Sequence, residues 1–357
     1  MSRQHTVVSD ACPAEVAGSA YSPDRREFCR AAAGGLLAAA GVAVGLASPE
    51  PIQAASEPKG KKPVEDDQLP IIDTHQHLWD LDLVRLPWLA GDAVESIRRS
   101  YVMQDYLQAT KGLNVKRAVY MEVNVAPEDQ DKEAEYVLQL CGDAGNPTVA
   151  AVIGGTPSSA DFPAYIRKYA KNSHLKGVRT VLHDDDRPRG MCLEPQFVKN
   201  IQLLGELGLR YDLCMRPGEL LDGVKLIEQC PETRFVIDHC GNMPVNSTDR
   251  KLRAAWEKGI TAAAGQKNVV CKISGIIVTA DKESWQPADL ASVINFCLDA
   301  FGEDRVIFAG DWPVCTLTAP LSGWVGALKE IVASRSASAR RKLFHDNAVR
   351  FYELPKA

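Results

Sequence analysis

The chain has 357 residues, of which 45% are hydrophobic and 24% are charged, and its formal net charge is -5. These values are ordinary for a soluble globular protein, and without a long basic run they exclude nucleic acid and an anionic membrane surface as expected partners. We therefore expect a small-molecule substrate, and a homodimer is compatible with the sequence. The ten cysteines are scattered singly, so most are expected to be small buried apolar residues.

Residues 1–55 are predicted to be an export signal. Arg25 and Arg26, followed by Phe28, resemble the twin-arginine pattern, and a run rich in alanine and glycine follows at 31–47. This run is too weakly apolar to indicate a membrane span. We expect cleavage of the signal, no stable membrane insertion afterwards, and a periplasmic or extracellular protein. An uncleaved membrane anchor is the alternative.

Residues 56–68 are predicted to be a charged linker, and residues 69–357 the folded part. There, short β-branched runs alternate with amphipathic stretches, which is typical of βα units around a parallel sheet. The predicted strands lie at 70–74, 117–123, 149–154, 177–182, 210–215, 234–239, 269–274 and 305–311. The predicted helices lie at 130–141, 162–171, 195–207, 218–230, 249–264, 287–301 and 321–334. Eight strand-helix units predict an α/β fold, a closed (β/α)8 TIM barrel rather than an open doubly wound sheet.

His75 and His77 stand at the end of the first predicted strand, separated by one residue. Because residues i and i+2 of a strand point to the same side, both imidazoles are expected to aim at one point. Paired histidines of this kind can supply two ligands to a metal ion. Taken alone, the motif is equally compatible with a surface loop.

Polar residues also follow the other predicted strands. In a barrel of this type the chemistry collects at the C-terminal ends of the strands. The residues found there are Glu122, Asn124, Arg179, Arg216, Asp238, His239, Lys272 and Asp311. Ionisable groups after apolar strands are costly if merely buried, which favours one shared site. Buried ion pairs that fill the barrel mouth are the alternative for Glu122, Arg216 and Lys272.

Four stretches carry a resemblance to a known family. They are His-Gln-His-Leu-Trp-Asp at 75–80, Val-Ile-Asp-His-Cys-Gly at 236–241, Cys-Lys-Ile-Ser-Gly at 271–275 and Ala-Gly-Asp-Trp-Pro at 309–313. Together they resemble the amidohydrolase superfamily, and within it the branch of L-fuconolactonases and L-rhamnonolactonases. The resemblance covers the whole predicted barrel.

The resemblance implies a set of site residues. In the superfamily, the strand 1 histidines, a later histidine and the strand 8 aspartate bind one or two divalent metals or hold the substrate directly. The corresponding residues of this chain are His75, His77, His239 and Asp311. No histidine ends strand 5 and no lysine ends strand 4, so a two-metal site is not expected. One divalent metal, zinc or manganese, is implied, and metal-free catalysis stays open.

Each of these groups has a chemistry that suits ester hydrolysis. Asp311 can act as general base and then general acid, while His239, Arg179 or a metal can polarise the carbonyl group. The expected substrate contacts are Glu122, Asn124, Arg216, Trp79 and Lys272, and for Trp79 core packing is the alternative. We predict a hydrolase that opens a lactone of a sugar acid. A metal-dependent decarboxylase or hydratase of the same superfamily, or a catalytically silent sugar-binding barrel, is the alternative.

Overall fold

The computed structural model describes residues 68–355, so the predicted export signal lies outside the described residues and stays a prediction. Eight strands form one parallel sheet whose spatial order is the order along the chain. They are β1 (Ile71–Gln76), β2 (Val115–Met121), β3 (Thr148–Gly154), β4 (Leu175–Val181), β5 (Arg210–Cys214), β6 (Arg234–Ile237), β7 (Val269–Ile273) and β8 (Val306–Phe308). Helices lie between the strands, which confirms the predicted (β/α)8 barrel.

The helices follow the predicted pattern closely. They are α1 (Met103–Ala109), α2 (Gln130–Cys141), α3 (Phe162–Tyr169), α4 (Pro195–Glu206), α5 (Leu220–Gln229), α6 (Arg250–Ala264), α7 (Pro287–Phe301), α8 (Leu321–Ile331), α9 (Ala337–Arg341) and α10 (Asn347–Tyr352). Helices α2 and α7 match the prediction residue for residue. Helices α1, α9 and α10 were not predicted, because segments of five to seven residues show too few apolar positions for a helical period.

The barrel closes between β1 and the segment after β8. Gln76 and Trp312 form an isolated parallel bridge, and Thr74 Oγ1 donates to the Phe308 carbonyl at 2.7 Å. Asp73 Oδ1 accepts from the Gly310 N–H at 2.7 Å, and a Cβ atom at Gly310 would lie only 2.5 Å from Asp73 Oδ2. Glycine at this position therefore lets the end of the last strand lie against the first.

Most of the apolar core lies between the strands and the surrounding helices, and a smaller apolar cluster, with Ile72, Val236 and Tyr352 among its members, includes residues of α10. All eight described cysteines are free and buried, as expected for small apolar residues. Within residues 68–355, no helix has the length and apolar character needed to cross a membrane.

Candidate active site

His75 and His77 bring their ring Nε2 atoms to 3.1 Å of each other. His75 lies within β1 and His77 is the first residue after it, so the alternation of strand side chains places both rings on one side. Both side chains are buried. The two imidazoles therefore converge at the C-terminal end of the first strand.

Asp311 faces both histidines from beyond the end of β8. Its Oδ1 lies 3.3 Å from His77 Nε2 and 3.6 Å from His75 Nε2, and its backbone N–H donates to the His75 carbonyl at 2.9 Å. Its φ is 54°, a left-handed conformation that is uncommon outside glycine and clusters at functional sites. Strand β8 ends at Phe308, earlier than predicted, so a backbone turn rather than strand alternation aims this carboxylate.

His239 is held by a turn with an unusual backbone. Residues 239–242 all have positive φ, between 51° and 70°, and the His239 ring centroid lies 4.5 Å from that of His75. His239 Nδ1 lies 2.9 Å from Ser274 Oγ, and a Cβ atom at Gly275 would lie 2.2 Å from the same nitrogen. Burial lowers the pKa of His239, so the neutral imidazole is favoured at this position.

Arg179, in β4, adds a fixed positive charge to the site. Its Nε donates to Glu122 Oε1 at 2.5 Å and its Nη2 donates to the Glu122 carbonyl at 2.7 Å. Its Nη1 lies 3.2 Å from His75 Nε2 and 3.7 Å from Asp238 Oδ2. Burial acts to lower the pKa of Arg179, but the charges of Glu122 and Asp238 outweigh burial and hold it above its usual value.

Lys272 contacts the opposite nitrogen of His75. Its Nζ lies 3.4 Å from His75 Nδ1, 2.5 Å from Asp212 Oδ2 and 3.1 Å from Asp238 Oδ1. Lys272 is fully buried, so the structure places it in an ion-pair network, the alternative to substrate contact. Burial acts to lower the pKa of Lys272, but Asp212 and Asp238 hold it above its usual value. Burial, and next the charge of Lys272, hold the pKa of His75 well below its usual value.

Two of the predicted substrate contacts lie together beside the loop after β4. Arg216 Nε donates to Glu219 Oε1 at 2.6 Å, and its two Nη atoms donate to the carbonyls of Asp184 and Arg187. Asn124 Nδ2 donates to Asp184 Oδ2 at 3.0 Å. Both side chains are only partly buried, so they combine fixed positions with accessible surface.

Trp79 lies in the apolar core. It is 1% exposed, and its ring packs edge-on against Trp88 and Tyr101 at centroid distances of 5.7 and 5.2 Å. Its Nε1–H donates to the Arg99 carbonyl at 2.6 Å. The structure therefore shows the core packing that the sequence left as the alternative to a pocket wall.

The family model described as Amidohydrolase matches residues 72–354, which span all eight strands. This chain belongs to the amidohydrolase family. An L-fucono-1,5-lactonase from Burkholderia multivorans is 29% identical over 294 residues, with 80% of this chain and 96% of that protein covered. An L-rhamnono-gamma-lactonase from Scheffersomyces stipitis is 23% identical over 338 residues, with 80% of this chain and 98% of that protein covered.

Crystal structures of an amidohydrolase from Burkholderia multivorans share the barrel. The form with bound HEPES is 25% identical and superposes with a TM-score of 0.72, covering 80% of this chain and 100% of that chain. The form with bound zinc is 24% identical, with the same TM-score and coverage. The resemblance to amidohydrolases is thereby confirmed, and so is the prediction of a hydrolase.

The donors of this amidohydrolase site fit one divalent cation. Ligand atoms of His75, His239 and Asp311 lie within 4.8 Å of one another, and His77 Nε2 lies beside them. His77 Nδ1 lies 3.0 Å from the Met121 carbonyl. A carbonyl only accepts, so Nδ1 carries a proton, and the tautomer with its proton there leaves the lone pair of Nε2 facing the site. Imidazole and carboxylate donors suit zinc or manganese.

A second group of potential ligands is surrounded by cations. The ligand atoms of Cys214, Asp238 and His239 also lie within 4.8 Å of one another. However, Asp238 already contacts Lys272 at 3.1 Å and Arg179 at 3.7 Å. Two fixed positive charges at this distance disfavour a further cation.

Two aspartates that support the amidohydrolase site were not predicted. Asp73 Oδ1 accepts from the backbone N–H of His75 at 3.1 Å as well as from Gly310, and Asp212 pairs with Lys272. Both lie inside strands rather than at the strand ends, where a barrel of this type is expected to place its functional residues. The available signal is strand alternation, because Asp73 precedes His75 by two residues and Asp212 follows Arg210 by two, so each pair shares one face.

Proposed function

We propose that this amidohydrolase hydrolyses a lactone of a sugar acid. The observation that carries the proposal is the position of Asp311, whose Oδ1 lies within 3.6 Å of the Nε2 atoms of both His75 and His77. This position is at the C-terminal end of the strands, where barrel enzymes carry out their chemistry. The two relatives named as sugar lactonases support the substrate class.

Asp311 moves the proton in the proposed reaction. It takes a proton from a water molecule while the water oxygen bonds to the carbonyl carbon of the lactone. The bond between that carbon and the ring oxygen then breaks, and Asp311 returns the proton to the leaving oxygen. The product is the open-chain hydroxy acid, and Asp311 ends in the state in which it began.

Arg179 and the histidines stabilise the charge that develops on the carbonyl oxygen. Arg179 is held by Glu122 before the substrate arrives, so its charge needs no reorganisation during the reaction. Asn124 and Arg216, on the accessible side of the site, are the proposed contacts for the sugar hydroxyls. Glu122 supports this arrangement indirectly, because its carboxylate is engaged by Arg179 and by the Asn124 backbone N–H at 2.6 Å.

The proposal has a metal-bound form and a metal-free form. One divalent cation, zinc or manganese, held by His75, His77, His239 and Asp311 would supply Lewis-acid polarisation of the carbonyl group when bound. In the metal-free form Arg179 and the histidines supply the polarisation. Metal analysis of protein purified without chelator, together with turnover after chelation, separates the two: stoichiometric metal supports the first form, and full turnover without metal supports the second.

Replacement of Asp311 by asparagine tests the reaction. Asparagine tolerates positive φ and keeps the size of the side chain, so the turn should survive while the proton acceptor is lost. We expect kcat to fall by about 10²- to 10⁴-fold with KM nearly unchanged. The measurement is acid release from a panel of aldonolactones followed with a pH indicator.

The control is Asp299→Asn, a change of the same kind at an exposed carboxylate that pairs with Arg335, and it should leave kcat unchanged. Undiminished lactone turnover by D311N would contradict the proposed mechanism. Release of carbon dioxide instead of acid would identify a decarboxylase. Sugar lactone binding without turnover by the wild-type protein would identify a silent binding barrel.

A further inference from the structure

Asp311 lies on a backbone segment that follows the last strand. Strand β8 ends three residues before Asp311, so the position of residues 310–312 is set by contacts outside β8. Two of these contacts are backbone hydrogen bonds, from the Asp311 N–H to the His75 carbonyl at 2.9 Å and from the His77 N–H to the Trp312 carbonyl at 2.8 Å. Two buried side chains supply further contacts.

Asp73, in β1, holds the first residue of this segment. Its Oδ1 accepts from the Gly310 N–H at 2.7 Å and from the His75 N–H at 3.1 Å, and its Oδ2 accepts from Tyr106 Oη at 2.9 Å. Asp73 is 1% exposed, and a buried carboxylate is costly unless its oxygens accept hydrogen bonds. The three donors fix both the position and the rotation of this carboxylate, and with it the amide of Gly310.

Tyr106, in α1, links the two ends of the same segment. Its hydroxyl donates to Asp73, and its ring packs edge-on against Trp312 at a centroid distance of 5.4 Å. The side chain of Tyr106 is fully buried. Asp311 thus lies between one residue that is bonded to Asp73 and another that packs on Tyr106, and the hydrogen bond between Tyr106 and Asp73 closes the ring of contacts.

We propose that Asp73 and Tyr106 are positioning residues that aim the Asp311 carboxylate at the two histidines of the first strand. Asp73 sets the amide before Asp311, and Tyr106 keeps the carboxylate of Asp73 from rotating. A displacement of a catalytic group by about 1 Å can lower a rate by about 10²-fold, so a change in either residue should reduce turnover. The effect on turnover rests on the proposed function, whereas the position of the segment does not.

The alternative is that the two residues only fill space and stabilise the barrel. Removal of the Tyr106 hydroxyl would then loosen the whole barrel evenly and leave the kcat of the folded protein unchanged. A positioning role instead predicts a local change at residues 309–313, together with a loss of kcat at nearly unchanged KM.

Hydrogen exchange of the full chain, followed by mass spectrometry, tests the position of the segment without any substrate. Tyr106→Phe removes the hydroxyl and keeps the ring against Trp312. We expect amides in peptides that cover residues 309–313 to exchange about tenfold faster, while peptides that cover β5 exchange as in the wild type. Unchanged exchange at residues 309–313, or equal acceleration across the barrel, would overturn the inference.

The matched control is Tyr169→Phe, which removes the hydrogen bond from another tyrosine to an aspartate, Asp131, between α3 and α2. It should leave both kcat and the exchange of residues 309–313 unchanged, and the same acceleration in Y169F would contradict a specific role of Tyr106. Absence of lactone turnover by the wild-type protein, together with faster local exchange in Y106F, would remove the proposed function and leave the placement of this segment by Tyr106 standing.

Substitutions at Asp73 separate its hydrogen bonds from its bulk. In Asp73→Asn the side-chain oxygen can still accept from Gly310 and His75, and the amide can donate to Tyr106 Oη, so we expect kcat to stay within about tenfold of the wild type. Asp73→Ala leaves all three donors without this acceptor, and we expect kcat to fall by about 10²-fold with KM nearly unchanged. Equal losses in D73N and D73A would overturn the positioning role.

A double variant tests whether Tyr106 acts through Asp73. Y106F alone should lower kcat by about tenfold, and adding it to D73A should cause no further loss, because the carboxylate that the hydroxyl orients is already absent. Losses that add in D73A/Y106F would overturn the pairing of the two residues. If D73A does not fold, hydrogen exchange and kcat of Y106F and D73N, which retain the buried side-chain volume, decide the question.

Discussion

The two ends of the barrel both bury charged residues, but the partners of those charges differ. Around His75, at the C-terminal end of the strands, Arg179 and Lys272 contact side chains that are themselves ionisable. At the opposite end, Arg210 is the first residue of β5 and donates to backbone carbonyls, those of Gly208 at 3.2 Å and Phe351 at 2.8 Å.

The arginines at the N-terminal end hold the last helix over the barrel floor. Arg210 is 2% exposed, and Arg234, the first residue of β6, donates to the same Phe351 carbonyl at 3.3 Å. Both also pair with Glu353, at 3.3 and 2.9 Å. Because a backbone carbonyl does not titrate, the hydrogen bonds to Gly208 and Phe351 have a single state once the chain is folded, whereas the ion pairs involve a Glu353 side chain that is 62% exposed.

The groups around His75 can change their protonation or tautomeric state, unlike the backbone carbonyls at the other end of the barrel. We expect this difference to separate residues that support turnover from residues that support stability. Its members include a neutral imidazole with two possible tautomers, and Asp238, neither of whose carboxylate oxygens makes a well-aligned hydrogen bond. We expect substitutions near His75 to lower turnover more than stability, and substitutions near Phe351 to do the reverse. The following predictions test this contrast.

Among the substitutions that test this contrast, Arg179→Lys has the largest expected effect. Lysine keeps the charge opposite Glu122 and Asp238 but loses the planar fork that holds its position. We expect kcat/KM to fall by about 10²- to 10³-fold, the usual cost of removing a preorganised donor to the developing oxyanion. The thermal midpoint should change little, because the buried carboxylates keep a cation.

The matched control for this prediction is Arg216→Lys, at the partly buried arginine beside the loop after β4. We expect a smaller decrease that appears mainly in KM, since Arg216 is proposed to contact hydroxyl groups rather than the reacting carbonyl. Equal losses of kcat in the two variants would argue against the separate roles proposed for Arg179 and Arg216.

Gly275→Ala should have the next largest effect. The new Cβ would lie 2.2 Å from His239 Nδ1 on a backbone with φ of 67°, so the imidazole must move. A displacement of about 1 Å can lower a rate by about 10²-fold, and we expect a decrease of that order in kcat. Gly326→Ala is the control, because a Cβ there meets no atom within 4 Å, and its kcat should equal that of the wild type.

Sequence patterns predicted the barrel and the site residues at the strand ends better than the charged residues inside the strands. The alternation of apolar runs predicted all eight strands, and the strand ends led to His75, His239 and Asp311. Asp212 was not predicted as a site residue because it lies inside a strand, where a single charged residue indicates only a break in an apolar run. The ion pair of Lys272 depends on which strands become neighbours across the barrel, and no local pattern carries that information.

At the N-terminal end, Arg210→Met should affect stability and leave turnover unchanged. Methionine has a similar length but donates no hydrogen bond, so the carbonyls of Gly208 and Phe351 lose the bond from Arg210, and Phe351 keeps only the longer one from Arg234 at 3.3 Å. We expect the free energy of unfolding in urea to fall by about 1 to 3 kcal/mol while kcat/KM stays within twofold. Arg234→Met, at a more exposed side chain, should cost less. A loss of turnover in R210M without a loss of stability would contradict the division between the two ends.

Glu133→Gln should change the pH dependence of stability. Glu133 Oε1 accepts from the Val123 N–H at 2.7 Å and from Tyr120 Oη at 2.9 Å. Burial, and next the charge of Glu122, raise the pKa of Glu133 to about 8. The folded chain therefore binds this proton more tightly than the unfolded chain, and the stability that it contributes is lost as pH rises from about 4.5 toward 8.

Glutamine can accept the same two hydrogen bonds and cannot ionise, so Glu133→Gln should remove this part of the slope. Its thermal midpoint should match that of the wild type near pH 5 and exceed it at pH 8, since each unit of pKa difference corresponds to about 1.4 kcal/mol. Asp212, whose pKa burial raises to about 7, contributes a slope of the same sign, but it is present in both proteins and cancels in the difference.

Glu135→Gln, at an exposed carboxylate paired with Lys168, serves as the control. Parallel curves for the wild type and E133Q between pH 5 and 8 would show that Glu133 is ionised in the fold, and Glu122 and Glu133 would then both depend on Arg179 for compensation.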